Sequence, residues 1–401
     1  MALVPKIITD VRTLMVKRED GAKWKFSDAG WGGDWLDLSI QGERQKPFQW
    51  KFGYLSHGPC LSEVKYTGWY GKEKSVSLES SVSTLRTDDY ARTFFNIRYE
   101  FNRETHTDVS FFVLGGQDRI YTPVIAWGNK EGLIEERSLE KKNPGHPYLE
   151  QQNFVGQSPF WFGFPKQEIR GEDKKGCGWR AIVIRSFEAS FSGVRYNKPT
   201  FSVRNINRRQ KVSIDPNGIF MLRPPKEVTS IKQGDWVSLD VSIITLPPSI
   251  STYYGPNMSL QRHLADSPNS WKTIHREAAE NIRSVVVNSG GEVVSTYPIV
   301  ISVVDQCMVK LTIQGGIGAV PLQFKGLQSR FYTLHHCTEE GEVPIDRDQA
   351  VHGKDFYQVE YRYGRDEDLE VIGHYYITFN VILDDIESST WVLRKDVGTV
   401  Q

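Results

Sequence analysis

Apolar and polar residues alternate with a period of two through most of this chain. In Phe94-Phe95-Asn96-Ile97-Arg98-Tyr99-Glu100-Phe101, one side carries Phe95, Ile97, Tyr99 and Phe101, the other Asn96, Arg98 and Glu100. That rhythm predicts a strand covered on one face. Trp236 to Leu246 repeats it, with Val237, Leu239, Val241 and Ile243 on one side. Val309, Leu311 and Ile313 alternate with Lys310, Thr312 and Gln314. Near the end, Tyr357, Val359, Tyr361 and Tyr363 alternate with Gln358, Glu360 and Arg362, and Tyr375 to Leu383 alternates again. Asp108 to Leu114 reads as a more continuously apolar strand. Gly and Pro clusters punctuate these runs, as antiparallel sheets require.

One segment changes period. From Pro268 to Val287 the apolar residues Trp271, Ile274, Ala278, Ile282 and Val285 are spaced by three and four. This predicts a helix with Ser267 as N-cap, Pro268 in its first position and Gly290-Gly291 as the stop. Leu246-Pro247-Pro248 closes the β-rich block before it. The expected fold is therefore all-β. A large antiparallel double-sheet domain spans 1–250, a helical connector 251–287, and a smaller β-sandwich domain 288–401. No internal repeat of fixed period appears, which disfavours propellers and solenoids.

Composition narrows the function classes. The 401 residues include 49 Lys+Arg and 49 Asp+Glu, for a formal net charge of zero. A nucleic-acid-binding surface carries a basic excess, so no nucleic-acid partner is expected. No apolar run is long enough to span a bilayer, and no membrane partner is expected. Cys60, Cys177, Cys307 and Cys337 are far apart and form no C-x-x-C pair. They read as reduced thiols rather than a disulfide scaffold or a zinc site. Met1-Ala2-Leu3-Val4-Pro5-Lys6 has no signal-peptide pattern, which fits a cytoplasmic protein or a secreted one already processed. A homo-oligomer is compatible with all of this.

The phosphate-loop, dinucleotide, nucleophile-elbow and zincin motifs are absent. Instead, aromatic residues cluster beside glycine. The clusters are Trp31-Gly32-Gly33-Asp34-Trp35, Tyr66-Thr67-Gly68-Trp69-Tyr70-Gly71 and Ser158-Pro159-Phe160-Trp161-Phe162-Gly163-Phe164. Flat rings stack on the apolar faces of sugars, and polar neighbours bond the hydroxyls. Core packing is the competing explanation for each cluster. Trp31, Trp35, Trp69, Trp161, Asn257 and Trp271 are the candidate substrate-binding residues.

Two catalytic chemistries are open. Tyr254, Asn257, His275 and Arg276 lie in the connector and suit β-elimination, in which a base removes a proton beside a carboxylate that Arg or Asn neutralises. The alternative is that His275 is a packed interdomain histidine and Arg276–Glu280 an i,i+4 surface pair. Glycoside hydrolysis needs two carboxylates, with Asp88, Asp89 and Asp118 as the leading candidates and Asp34, Asp355 and Glu360 behind them. A solvated turn accounts equally for each acid. His335-His336-Cys337 cannot share one ion along a strand, because neighbours face opposite ways. Asp346-Arg347-Asp348 and Asp366-Glu367-Asp368 suit at most a structural Ca²⁺, so no cofactor and no catalytic metal are expected.

Thr87-Asp88-Asp89-Tyr90-Ala91-Arg92, Ile125-Ala126-Trp127-Gly128-Asn129 and the long alternating strands around them resemble one known group. It is the β-supersandwich, or galactose-mutarotase-like, domains of polysaccharide lyases and glycoside hydrolases. The resemblance covers about residues 1–250. It implies a large two-sheet fold and a carbohydrate substrate, and it assigns no catalytic residue. The resulting expectation is an enzyme that cleaves glycosidic bonds in a polysaccharide or oligosaccharide, as a hydrolase or a lyase. A non-catalytic carbohydrate-binding protein or a structural assembly subunit is the alternative.

Overall fold

The computed structural model describes residues 14–17, 23–26, 33–34, 36, 38–85, 91–115, 120–140, 145–169, 179–205, 216, 218–246, 258–266, 270–280, 283–345, 357–365, 371–383 and 387–396. Strands dominate them, in several largely antiparallel sheets, with two short helical segments. The fold is all-β. The chain forms two compact units. The first takes Met1–Phe52, Lys65–Ser81 and Phe95–Ala279, and the second takes Gly53–Val64, Val82–Phe94 and Glu280–Gln401.

The largest sheet has ten strands. In order they are Gly132–Ser138, Ile120–Asn129, Phe160–Ile169, Trp179–Phe191, Trp236–Leu246, Ala91–Phe101, Val76–Leu85, Leu61–Tyr70 and Pro47–His57, with Val194–Tyr196 paired to Trp179–Phe191. Within the first unit its inner face packs on a five-stranded sheet formed by Pro147–Asn153, Thr200–Asn205, Gly218–Arg223, Phe112–Gly115 and Gly33–Asp34. Aromatic rings fill the gap. Phe162 lies 4.6 Å from Phe220, Phe154 lies 5.1 Å from Phe160, and Phe95 meets Phe112 edge-on at 5.7 Å. The alternation explains why. Phe95, Ile97, Tyr99 and Phe101 are all buried, while Asn96, Arg98 and Glu100 are exposed on the outer face. Val237, Leu239, Val241 and Ile243 are buried in the same way. Each such aliphatic or aromatic side chain contributes about 2 kcal/mol through the apolar area it removes from water.

The helical segment is shorter than its sequence pattern suggests. Met258–Asp266 is one α-helix, and Trp271–His275 is a second that runs into a π-helical turn, Arg276–Glu280. The cap of the second is Ser270, whose hydroxyl accepts from the Lys272 amide at 3.2 Å. Ser267 and Pro268 lie outside the described residues. The helix does not continue to Val287. Arg283–Ser289 is a strand, with Val285 paired to Ile313. The run Val285-Val286-Val287 is β-branched throughout, and stiff branched side chains favour a pleated strand over a helix. The Trp271–His275 helix packs on the outer face of the Phe160–Ile169 strand. Gly163 makes this approach workable, because a Cβ there would stand 2.4 Å from Ile274 Cδ1.

The second unit contains a sandwich of two five-stranded sheets. One runs Arg283–Ser289, Met308–Gly315, Ser388–Lys395, Tyr332–Thr338 and Gly341–Pro344. The other runs Gly291–Thr296, Ile299–Val303, Gly318–Leu327, Val371–Leu383 and Tyr357–Arg365, and holds one parallel pair. Ile301, Leu311, Leu322, Leu334, Phe379 and Leu393 form the fully buried centre. The outer face of the second sheet bears a polar seam. The Gln358 side chain accepts from the amides of Cys60 and Leu61 at 2.9 and 3.0 Å and donates to the Leu61 carbonyl at 3.2 Å. Gln323 donates to Ser56 and Thr378, and Arg362 donates to Ser56 at 2.6 Å. Among the described residues no helix is long and apolar enough to cross a membrane.

Candidate functional site

The outer face of the large sheet is covered at one end. The Trp271–His275 helix stacks Trp271 on Trp161, with ring centroids 6.3 Å apart and planes 6° from parallel. Trp161 is fully buried and donates its indole N–H to the Asn129 carbonyl at 3.1 Å. A wholly buried ring leaves Trp161 no face exposed for stacking on a sugar. His275 lies half-buried 6.1 Å from Trp161 and 6.2 Å from Trp271. Arg276 is 4% exposed and faces the buried Glu277 carboxylate at 3.4 Å, and the side chain of Glu280 lies outside the described residues. His275 and Arg276 thus belong to the helical cover, along with Trp271.

Beyond this cover, the outer face is open. The Tyr66–Gly71 cluster shows how it is built. Alternation sends Tyr66, Gly68 and Tyr70 inward and Thr67 and Trp69 outward. Inside, Trp50 meets Tyr70 edge-on at 5.4 Å and donates its indole N–H to the Trp69 carbonyl at 2.9 Å. The Tyr70 hydroxyl donates to the Leu36 carbonyl. Gly68 is required here, since a Cβ would stand 2.4 Å from Trp50 Cδ1 and 2.8 Å from Trp50 Cα. The Trp69 backbone is therefore fixed from beneath.

Outside, Trp69 lines a hollow of about 280 Å³. Gln49, Lys51 and Thr67 line it from the two strands at the sheet's edge, and Ser77, Glu79, Arg98 and Glu100 from the next two. Gln49 has a φ of 51°, a left-handed conformation that costs a non-glycine residue about 1 kcal/mol. The turn after Trp69 contains two further left-handed residues, Gly71 and Lys74, and returns the Lys74 ammonium to 4.3 Å above the Trp69 ring. Glu79 pairs with Lys65 at 2.5 Å, but both side chains are about half exposed, so the pair is weak and its oxygens stay accessible.

The open face continues onto the neighbouring strands. Asn96 and Ser186 both donate to Asp240, at 2.6 and 2.7 Å, which commits that carboxylate to a row across three strands. Arg98 lies over the Trp236 ring at 4.4 Å and Arg195 at 4.6 Å. Glu79, Arg98, Glu100, Arg195 and Trp236 were not among the sequence candidates. Their signal was the polar side of each strand repeat, which marks the outer face but not its chemistry.

Trp69 is the sequence candidate that the structure places in this hollow. Trp31, Trp35, Asp88, Asp89, Asp118, Tyr254 and Asn257 lie outside the described residues, as does Asp355, and so does the side chain of Asp34. Glu360 sits on the polar seam of the second unit, accepting from the His57 amide at 2.7 Å. Among the described residues no three His, Cys, Asp or Glu side chains converge as a metal site would need.

No protein-family model matches the chain, and no curated protein does. Among solved structures, heparan sulfate lyase HepC from Pedobacter heparinus aligns with a TM-score of 0.28 and 8% identity, over 70% of this chain and 28% of that one. The GH36 alpha-galactosidase AgaA from Geobacillus stearothermophilus aligns at 0.29 and 9%, over 60% and 33%. The galactosidase domain of alpha-galactosidase-sucrose kinase, AgaSK, aligns at 0.30 and 9%, over 54% and 30%. The aligned region thus spans a third or less of each of these structures. At such scores the alignments assign neither substrate nor residues.

Proposed function

We propose that this chain binds carbohydrate on the open outer face of its large sheet. One observation carries the reading. An outward Trp69 ring, two carboxylates, a guanidinium and an amide surround a single hollow of about 280 Å³. A saccharide has an apolar C–H face that suits an indole and a rim of hydroxyls that suits carboxylates and amides. The flexible Lys74 stem can move from the ring when a sugar arrives, since a cation–π contact at an exposed site holds only about 0.5–1 kcal/mol.

A second reading, glycosidic-bond cleavage, rests on Glu79 and Glu100 lining the same hollow. A carboxylate pair about 5–10 Å apart is what hydrolysis needs. Elimination by Tyr254, His275 and Arg276 has less support. His275 and Arg276 belong to the packed helical cover.

Affinity electrophoresis through gels containing neutral or uronic polysaccharides tests binding. Retardation that Trp69→Ala removes supports the proposal, and free migration in every gel overturns it. Following new reducing ends and the ultraviolet absorbance of unsaturated sugars on the same polymers separates the chemistries. Reducing ends that disappear in Glu79→Gln or Glu100→Gln indicate hydrolysis, unsaturated ends indicate elimination, and neither indicates binding alone.

A further inference from the structure

Two guanidinium groups converge on one indole. Trp236 points outward from its strand. Its sheet neighbours supply Arg98 on one side and, through Ser190, Arg195 on the other. Ser190 pairs in register with both Trp236 and Arg195, so the three side chains share the outer face. Ser190 is small, which lets Arg195 reach across it to within 4.6 Å of the Trp236 ring. With Arg98 at 4.4 Å from the same ring, the two guanidinium carbons are no more than about 9 Å apart. Glu100 and Glu188 occupy the same face. Even so, among the described residues neither Arg98 nor Arg195 has a carboxylate oxygen within 4.0 Å. Arg98 also lines the hollow beside Trp69.

We propose that Arg98, Trp236 and Arg195 form an oxyanion subsite for the carboxylate or sulfate of an acidic saccharide. The assignment rests on the open face being a carbohydrate site, and it names the class of carbohydrate. The indole holds both guanidinium groups in place, which reduces the rotamer freedom they lose when an anion binds. Each planar fork then presents paired N–H donors suited to a carboxylate or sulfate. Because the chain carries no net charge, an acidic polymer gains attraction from these two side chains rather than from the molecule's overall field.

The test measures affinity for four polymers: dextran, polygalacturonate, dextran sulfate and polyphosphate. Tighter binding of polygalacturonate or dextran sulfate than of dextran is expected, and the arm that responds identifies carboxylate or sulfate. Arg195→Gln and Arg98→Gln are each expected to lower the acidic-over-neutral preference about tenfold. Arg195→Lys should restore part of it, because charge returns without the fork. Equal binding of dextran and the acidic polymers overturns the inference while leaving the carbohydrate reading standing. So does an acidic preference untouched by either glutamine variant. Polyphosphate binding as tight as that of the acidic polysaccharides overturns the saccharide assignment in favour of a general polyanion site. Failure of all four polymers to bind overturns the carbohydrate reading itself.

Discussion

Gly68 decides whether Trp69 can face outward from a rigid base. Its missing Cβ makes room for Trp50, whose indole N–H fixes the Trp69 carbonyl. Gly68→Ala forces a methyl against Trp50 Cδ1 and the Trp50 backbone, and the backbone cannot swing aside. The variant should lose about 1–3 kcal/mol, the usual cost of overpacking, as read from a denaturant midpoint. Sugar affinity should fall with it, because the edge strand that carries Gln49 and Lys51 is displaced. Trp69→Ala should do the reverse, leaving stability nearly unchanged while removing binding. At this scale the sequence was half legible. The Tyr66–Gly71 cluster stood out, and the structure divides it: alternate residues pack inside while Trp69 faces outward. Trp161, from a cluster of the same texture, is buried under a helix that comes from more than a hundred residues further along the chain.

Elements were more legible than residues. The strands at Phe94–Phe101, Trp236–Leu246 and Val309–Ile313 follow their period-two patterns, and the inward rows are buried as that pattern requires. Two elements departed from it. Of the helical pattern over 268–287, Trp271–Glu280 is helical, and from Arg283 the valines join a strand. In Tyr357–Arg365 the strand is present but its coverage is inverted. Gln358 is 5% exposed and Tyr363 is 75% exposed. Local hydropathy could not show this, since Gln358 is covered by residues 53–64 and satisfied by the amides of Cys60 and Leu61. Electrostatics also act across an intervening strand, from Ser388–Lys395 over Tyr332–Thr338 to Gly341–Pro344. Two hydrogen bonds of 2.8 Å from Arg394 hold the Glu342 carboxyl below the usual range, with the Arg394 charge adding to the effect. A depressed carboxyl stabilises the fold above the ordinary carboxylate pKa, and this contribution disappears as pH falls through its lowered value. The gap in unfolding midpoint between the unmodified chain and Glu342→Gln should therefore be present at neutral pH and close on acidification. Both side chains are partly exposed, so the gap should be small and shrink in high salt.

At the scale of the molecule, the second unit is assembled from chain segments far apart in sequence. It takes 53–64 and 82–94 together with 280–401. Segment 53–64 supplies Ser56, Cys60 and Leu61 to the buried amides and guanidinium of the later strands. A fragment of residues 280–401 would lose those partners and leave Gln323, Gln358 and Thr378 on an uncovered face. It should be less stable than the same residues in the whole chain by about 3 kcal/mol or more, given roughly 1 kcal/mol per hydrogen bond lost. Hydrogen exchange of the Gly318–Leu327 amides would show the difference, and equal protection would contradict it. The all-β class was legible from alternation and turn residues, whereas the contribution of 53–64 and 82–94 to the later unit was not. Nothing in the local period of a strand tells which distant segment will cover it.

The central claim is that the open sheet face, rather than the helical cover, is the carbohydrate site. The most direct measurement follows the indole N–H resonances of the eleven tryptophans during titration with an acidic oligosaccharide. Assignment comes from single Trp→Phe substitutions. The Trp69 and Trp236 signals are expected to move with saturation while that of the buried Trp161 stays in place. Movement of Trp161 and Trp271 with Trp69 and Trp236 unchanged would place the ligand on the helical cover and contradict the account.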